Sequence, residues 1–268
     1  MRSIMKISTE NIKRVVIKVG TSTLTHASGY MNIRKVTRLV SCLADLYNSG
    51  LDVVLVSSGA VSCGLAKTDF DRKTLTTEQK QAAAAIGQCQ LIDMYARNFS
   101  EHGVNIAQLL LTRNVIDEKE LRLHASTTLE LLLKQGVIPI VNENDTISNE
   151  QIKIGSNDTL AATVARLCRA DLLINMSDID GLFDSDPRSN PNAKFIEYIE
   201  EVTDEIFAMG AGAGTARGTG GMATKLESAK YVTERGIAMI ILNGADPEIL
   251  YNVFDGEFVG TYFAAKPQ

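Results

Sequence analysis

Short apolar segments that can be buried on both faces alternate with longer amphipathic segments along this chain. "RVVIKV" at 14–19 and "DVVLVS" at 52–57 are two such segments, and between them residues 32–48 place apolar side chains at helical spacing. Strands that are apolar on both faces and separated by helices are typical of a mostly parallel sheet covered on both sides. The sequence therefore predicts an α/β fold, a three-layer α/β/α sandwich around a central, mostly parallel sheet.

The same alternation continues to the end of the chain. There is no internal repeat, no Pro/Ser-rich linker and no abrupt change of composition, so we expect a single domain over residues 1–268. Further strands are expected at 104–111, 137–142, 171–176 and 237–242, with an edge strand at 194–199. Further helices are expected at about 76–101, 117–136, 157–168, 223–235 and 246–254.

Composition narrows the classes of function. The net charge is −5 and no long basic run occurs, whereas a nucleic-acid surface needs clustered Lys and Arg. No apolar run is long enough to span a bilayer, and the N-terminus has no apolar segment of the kind that signal peptides carry. We therefore expect neither a nucleic acid nor a membrane as partner.

The cysteines and histidines follow no metal-binding pattern. The four cysteines contain no C-x-x-C pair, and the three histidines do not cluster with them. This spacing argues against a zinc site and favours thiols in a reducing compartment. We expect no protein-held metal site and a cytoplasmic location. The residues concerned are Cys42, Cys63, Cys89, Cys168, His26, His102 and His124.

Polar or glycine-rich segments follow five of the predicted strands. In an open α/β sheet, ligands bind beyond the carboxyl ends of the strands. Because all five segments are small or acidic in character, together they predict one continuous site. They are "KVGTS" (18–22), "SSGA" (57–60), "NENDT" (142–146), "SDIDG" (177–181) and "NGADP" (243–247).

The chemistry of these segments suits phosphoryl transfer. The chain has no G-x-x-x-x-G-K-[ST] loop, no G-x-G-x-x-G after the first strand, and no protein-kinase H-R-D and D-F-G set. Two lysines near glycine turns and several Asp and Asn residues remain, and phosphoryl transfer depends mostly on positioning and charge neutralisation. The run "GTGGMATK" (218–225) fits either a phosphate-binding helix start or a plain flexible loop.

Eight motifs in order along the chain resemble the glutamate 5-kinase branch of the amino acid kinase family. "KVG" and "SSGA" are shared broadly within that family, whereas "NENDT", "NDTLAA" and "GTGGMATK" are more specific to the branch. The remaining segments are "KQAAAAIGQ", "AQLLLTR" and "LLINMSDIDGLFDSDPR".

The resemblance implies ATP-dependent phosphorylation of the L-glutamate γ-carboxylate to L-glutamyl 5-phosphate, the first step of proline biosynthesis. ATP would bring Mg²⁺ with it, held mainly by phosphates and water. The resemblance further implies an amino acid kinase-like fold with a glutamate-binding lobe at about 10–170 and a nucleotide-binding lobe at about 171–268.

Three residues would carry the catalysis. Lys18 and Lys225 would neutralise the phosphates, and Asp158 would orient both lysines through charge-assisted bonds. Burying a charged residue within an apolar strand costs free energy, which favours a functional role for Lys18. The alternative is a surface lysine near a strand end. Asp158 also suits a helix cap.

Further residues are carried over as ligand contacts. Ser58, Asp145 and Asn157 would bind glutamate, with Asp145 taking the α-ammonium group; the alternative for Asp145 is an Asx-turn. Asn142, Glu143 and Asn144 would brace that loop. The expected nucleotide contacts are Lys18, Gly20, Ser177, Asp178, Thr219, Gly220, Gly221, Met222, Ala223, Thr224 and Lys225, of which Met222 is expected mainly to pack against apolar groups.

The match departs from the family in two places. Many members carry an additional C-terminal PUA domain, and we expect this chain to lack it because the sequence ends at "GTYFAAKPQ". Ser156 stands where the family commonly has an acid, which puts acidic support beside Asn157 in doubt.

Partners are also implied by resemblance. We expect a homo-oligomer, a dimer or tetramer, and feedback inhibition by L-proline at the glutamate site. The alanine-rich helix at 76–101 is suited to pack either against a partner subunit or within the core of the same chain. The rival functions are a kinase of the same fold acting on N-acetylglutamate or aspartate, and a sensing module on a decayed kinase fold; the latter is disfavoured because both lysines are present.

Overall fold

The computed structural model describes residues 5–26, 28–148, 154–187, 189–211 and 221–267. Its strands are β1 (Met5–Lys6), β2 (Arg14–Val19), β3 (Asp52–Ser57), β4 (Asn105–Leu111), β5 (Val137–Glu143), β6 (Leu172–Ser177), β7 (Leu182–Phe183), β8 (Phe195–Ile196), β9 (Tyr198–Ile199), β10 (Ala238–Asn243), β11 (Glu257–Phe258) and β12 (Thr261–Phe263). Its helices are α1 (Thr21–Leu24), α2 (Ile33–Asn48), α3 (Ala60–Leu65), α4 (Thr77–Ser100), α5 (Asn114–Asp117), α6 (Lys119–Lys134), α7 (Asn157–Leu167), α8 (Asp204–Ala211), α9 (Met222–Thr233) and α10 (Ile249–Phe254).

The described structure divides into two compact units. Unit 1 consists of residues 1–18 and 155–268, and unit 2 of residues 19–154. The glutamate-binding and nucleotide-binding lobes expected at about 10–170 and 171–268 are functional assignments, and they stay a prediction.

Unit 1 contains strands in the order β2-β6-β10-β12-β9. β6 and β10 pair in parallel, as do β12 and β9, whereas β10 and β12 are antiparallel. Every residue of β6 is buried, so both faces of this strand are covered. α7 and α9 pack against each other.

Unit 2 contains strands in the order β4-β5-β3, all parallel. β5 is buried along both faces after its first residue. α3 packs closely on α4: a Cβ atom at Gly64 would lie 1.7 Å from the Ala83 carbonyl oxygen, and one at Gly87 would lie 1.8 Å from that of Ala60. The close approach of α3 therefore explains part of the small-residue content of α4.

The predicted α/β/α arrangement with a mostly parallel sheet is confirmed. Several details differ from the prediction. The helix expected at 117–136 is interrupted at Glu118, whose extended backbone (φ −98°, ψ 120°) ends α5 and begins α6. The edge strand expected at 194–199 is two strands, β8 and β9, in different sheets. The elements that were not expected are α1, α3, α5, α8, β1, β7, β11 and β12. None of the helices in the described ranges is both long enough and apolar enough to cross a membrane.

Candidate active site

Two lysines from distant parts of the sequence meet at one carboxylate inside unit 1. Lys18 Nζ lies 2.7 Å from Asp158 Oδ1, and Lys225 Nζ lies 2.9 Å from Asp158 Oδ2. All three residues are buried, with 7%, 5% and 1% of the surface of Lys18, Lys225 and Asp158 exposed. We call these three residues the lysine–aspartate cluster.

Local structure places each member of the cluster. Lys18 lies near the carboxyl end of β2, whose other buried residues are apolar. Asp158 and Lys225 lie in the first turns of α7 and α9. The prediction that Lys18 and Lys225 approach each other is therefore met within unit 1, although their catalytic roles stay predictions.

Asp158 is not the cap of α7. That position belongs to Ser156, whose hydroxyl accepts a hydrogen bond from the backbone N–H of Thr159 at 3.2 Å. The Asp158 carboxylate instead accepts from both lysines and, at 3.4 Å, from the Thr224 hydroxyl. The alternative of a capping role for Asp158 was therefore wrong, and the orienting geometry is present.

Asn175 was missed by the sequence reasoning. It lies on β6 and is 1% exposed, and its side-chain Nδ2 donates to Asp158 Oδ1 at 2.9 Å. Its Oδ1 lies 3.5 Å from Lys18 Nζ. The signal that marked Lys18, a polar residue within an apolar strand, could also have identified Asn175.

Opposing effects set the ionisation of the cluster. Burial by itself raises the pKa of the Asp158 carboxyl, but the charges and hydrogen bonds of Lys18 and Lys225 outweigh burial and lower that pKa to about 2. Burial lowers the pKa of Lys18, against the charge of Asp158, which raises it. Asp158 is therefore ionised at neutral pH.

The formal charges of the lysine–aspartate cluster favour the binding of an anion. Two ammonium groups and one carboxylate carry a formal charge of +1, and burial strengthens electrostatic interactions. Phosphate oxygens are suitable partners for such a site.

The start of α9 holds most of the expected nucleotide loop. Gly221 is the N-cap, and Thr224 donates to its carbonyl oxygen at 2.8 Å. Met222 is buried and packs beside Gly210 of α8. Ala223 is exposed. Thr219 and Gly220 lie outside the described residues.

Ser177 and Asp178 follow at the carboxyl end of β6. The Ser177 hydroxyl donates to Asp178 Oδ1 at 3.2 Å, and the Asp178 charge is close enough to raise the pKa of Lys18. Asn243, at the end of β10, donates to Asp180 Oδ1 at 2.8 Å. This end of unit 1 thus presents polar groups near the lysine–aspartate cluster.

Ser58 and Gly20 lie in unit 2 at helix starts. Ser58 is half-buried and precedes Gly59, the N-cap of α3. The left-handed backbone of Gly59 (φ 104°) favours glycine. Beneath the turn, the Ser57 hydroxyl and the Tyr95 hydroxyl are 2.9 Å apart, and both residues are fully buried. Gly20 is the N-cap of α1.

The loop after β5 is braced by buried polar groups of unit 2. Glu143 Oε1 accepts from the Ile154 N–H at 2.8 Å and from the Ser148 hydroxyl at 3.2 Å. Asn142 donates to Gln88 Oε1 at 2.9 Å. The turn that contains the half-buried Asp145 begins at Asn144, whose carbonyl accepts from the N–H of Ser148. The bracing expected of Asn142 and Glu143 is present.

Asn157 is the first residue of α7 and lies in unit 1 beside Asp158. Its predicted contact with glutamate, and those of Ser58 and Asp145, stay predictions. Among the described residues, no three His, Cys, Asp or Glu side chains form a group that could hold a metal ion.

The sequence matches a known protein family. Residues 13–243 match the family described as "Amino acid kinase family". A glutamate 5-kinase of Clostridium perfringens is 46% identical over 98% of this chain and 99% of its own length. A glutamate 5-kinase of Clostridium acetobutylicum is 48% identical over 96% of both chains. One from Caldanaerobacter subterraneus is 51% identical over 93% of this chain and 67% of its own.

Solved structures share the fold at low sequence identity. The UMP kinase of Ureaplasma parvum superposes with a TM-score of 0.65 at 17% identity, covering 95% of this chain and 99% of its own. An isopentenyl phosphate kinase gives a TM-score of 0.64 at 15% identity, covering 94% and 100%. These two likenesses concern the fold alone.

Proposed function

The chain belongs to the amino acid kinase family, and from this premise we propose that it phosphorylates the γ-carboxylate of L-glutamate with ATP. The product is L-glutamyl 5-phosphate, the first intermediate of proline biosynthesis. The enzyme is a phosphotransferase with a carboxyl group as acceptor. The observation that carries the proposal is the buried lysine–aspartate cluster, in a chain 46–51% identical to three glutamate 5-kinases.

Charge neutralisation is the main task of the site. The γ-carboxylate of glutamate has an ordinary pKa of about 4.3, so it is ionised at neutral pH and needs no general base. The difficulty is to bring this anion to the anionic γ-phosphate. Lys18 and Lys225 stabilise the charge on the transferring phosphoryl group, and Asp158 holds both ammonium groups in place.

ATP enters as its magnesium complex. Asp158 already accepts hydrogen bonds from two lysines, and the described residues form no cluster of metal ligands. Mg²⁺ would be held mainly by phosphate oxygens and water, as is usual for this ion. Gly20, Ser177, Asp178 and the residues from Thr219 to Thr224 contact the nucleotide.

The glutamate contacts are assigned by family resemblance. Asp145 takes the α-ammonium group, while Ser58 and Asn157 bind the rest of the substrate. The half-buried position of Asp145 in a braced turn supports this role.

L-Proline competes at the same site, and the enzyme works as a homo-oligomer. Its four cysteines form no disulfide bond, which suits a cytoplasmic location.

A hydroxamate assay tests the function. The purified chain is incubated with Mg²⁺, ATP, hydroxylamine and one substrate from a panel of L-glutamate, N-acetyl-L-glutamate and L-aspartate. We expect glutamyl hydroxamate and an equal amount of ADP with L-glutamate alone. Preferred turnover of either other acid would overturn the substrate assignment, and ATP binding without ADP formation would support a sensing module instead.

A further inference from the structure

Asn175 is a buried amide in an otherwise apolar part of β6. Leu173, Ile174 and Met176 surround it in the strand, and its residue surface is 1% exposed. Asn is depleted in strands, and a buried amide is costly unless its hydrogen bonds are satisfied. The buried side chain of Asn175 therefore needs specific hydrogen-bond partners.

Those partners are in the lysine–aspartate cluster. The carboxylate of Asp158 can only accept hydrogen bonds, and the ammonium group of Lys18 can only donate. The amide must therefore turn Nδ2 toward Asp158 Oδ1, at 2.9 Å, and Oδ1 toward Lys18 Nζ, at 3.5 Å. The first contact is a good charge-assisted hydrogen bond, and the second lies at the outer limit of one.

This arrangement constrains the carboxylate of Asp158. Oδ1 is shared by Asn175 and Lys18, and Oδ2 receives Lys225. A carboxylate with two equivalent oxygens has no preference of its own for either lysine. The amide, fixed to a strand, defines the plane in which the carboxylate presents one oxygen to each ammonium group.

We propose that Asn175 is a positioning residue for phosphoryl transfer, which acts through Asp158 to hold Lys18 and Lys225 in their working positions. The proposal rests on the function proposed above. Successive side chains alternate between the faces of a strand, so the adjacent Ile174 faces away from the cluster. On the neighbouring β10, the residue in register with Asn175 is the apolar Ile241.

The first experiment compares Asn175→Leu with the native chain. Leucine has a similar shape but removes both hydrogen bonds. Misplacement of reacting groups by about 1 Å can lower rates by about 10²-fold, so we expect kcat to fall by roughly 10- to 100-fold. The KM values for ATP and glutamate should stay within about threefold, because Asn175 is assigned no substrate contact. Ile174→Val on the same strand is the control and should keep native kcat.

A double-mutant cycle separates positioning from general structural damage. Asn175→Leu is combined with Asp158→Asn, and turnover is measured with enzyme in excess over substrate. If Asn175 acts through Asp158, its substitution lowers the rate by less than about twofold in the Asp158→Asn background. An equal loss in both backgrounds would overturn the proposal, as would native kcat in Asn175→Leu or a loss confined to KM.

Folding is checked by circular dichroism and thermal unfolding. If Asn175→Leu does not fold, Asn175→Ala is measured in the same way, and failure of both to fold would assign the residue to the core and overturn the proposal. Activity of the native chain on L-glutamate is the reference. Its absence would contradict the proposed function, whereas an active native chain with an equally active Asn175→Leu variant would contradict only this inference.

Discussion

Lys225 reaches Asp158 across 67 positions of the sequence, with Nζ 2.9 Å from Oδ2. The contact joins the first turn of α9 to the first turn of α7, two helices that pack against each other. Because Asp158 also holds Lys18 at 2.7 Å, one buried carboxylate determines the position of both cations. Mutations in this cluster and in the loop after β5 should therefore affect turnover, stability and glutamate binding in distinguishable ways.

Removal of either lysine should abolish most turnover without unfolding the chain. Loss of one preorganised electrostatic contact lowers kcat by roughly 10²–10³-fold, so Lys18→Met and Lys225→Met should each show at least that loss. Methionine keeps most of the apolar length of the side chain. The hydroxamate assay measures turnover, and circular dichroism checks the fold.

Lys230→Met is the matched control for Lys225→Met. Lys230 lies on the same helix, and its ammonium group is 5.6 Å from the ring centre of Phe207. We expect near-native kcat for this control. Near-native turnover in both Lys18→Met and Lys225→Met would refute the catalytic assignment.

Asp158→Asn should change how stability depends on pH. The folded-state pKa of Asp158 is about 2, below its ordinary value of 3.8, so between these values the unfolded chain binds more protons than the folded one. The stabilisation is present above pH 3.8 and is lost as the pH falls toward 2.

Urea unfolding of the native chain and Asp158→Asn at pH 5 and pH 3 measures this effect. From the linkage relation, the stability advantage of the native chain should be smaller by about 1 kcal/mol at pH 3 than at pH 5. An advantage that does not change with pH would contradict the assignment of a low pKa to Asp158.

Ser156 should stabilise the fold by capping the N-terminus of α7. Its hydroxyl accepts from the Thr159 N–H at the start of α7, and loss of such a cap typically costs about 1 kcal/mol. Ser156→Ala should lower the free energy of unfolding by about that amount. Ser156→Asp should stay within about 0.5 kcal/mol of native because Asp is also a good N-cap, and an equal loss in both variants would argue against capping.

Glu143→Ala should weaken glutamate binding selectively. Glu143 accepts hydrogen bonds from Ile154 and Ser148, and each such bond contributes about 0.5–1.5 kcal/mol. With this support gone from the loop that contains Asp145, the KM for glutamate should rise by about tenfold while the KM for ATP changes little. Glu101→Ala, exposed at the end of α4, is the control. An equal rise in both KM values for Glu143→Ala would contradict a role specific to glutamate.

L-Proline should inhibit by competition with glutamate. An increasing concentration of L-proline at subsaturating glutamate should raise the apparent KM for glutamate and leave kcat unchanged. D-Proline serves as the stereochemical control. Full activity at every L-proline concentration would reject the proposal of feedback inhibition.

The sequence predicted the elements that depend on local pattern. β2, β3, β6 and β10 were found within one residue of their bounds because each is a short, predominantly apolar run. The break at Glu118 was not predicted, since no Gly or Pro marks it. There, Arg122 of α6 donates to the Ile116 carbonyl oxygen of α5, a contact that no local periodicity encodes.

The site was predicted unevenly for the same reason. Lys18, Asp158 and Lys225 belong to motifs that resemble those of the family, and the resemblance predicted their convergence. Asn175 lies within the motif "LLINMSDIDGLFDSDPR", but the resemblance assigned it no role, and its role depends on which oxygen of Asp158 it faces. Such a relationship arises only from tertiary packing of β6 against α7.

Unit 1 is assembled from both ends of the chain, whereas unit 2 is continuous. During synthesis, Lys18 leaves the ribosome long before α9 and β10 exist. Ribosomes add about 5–20 residues per second, so translation from residue 18 to residue 243 takes on the order of 10–45 s. Unit 1 is therefore completed only late in translation, after β6, α9 and β10 have been synthesised.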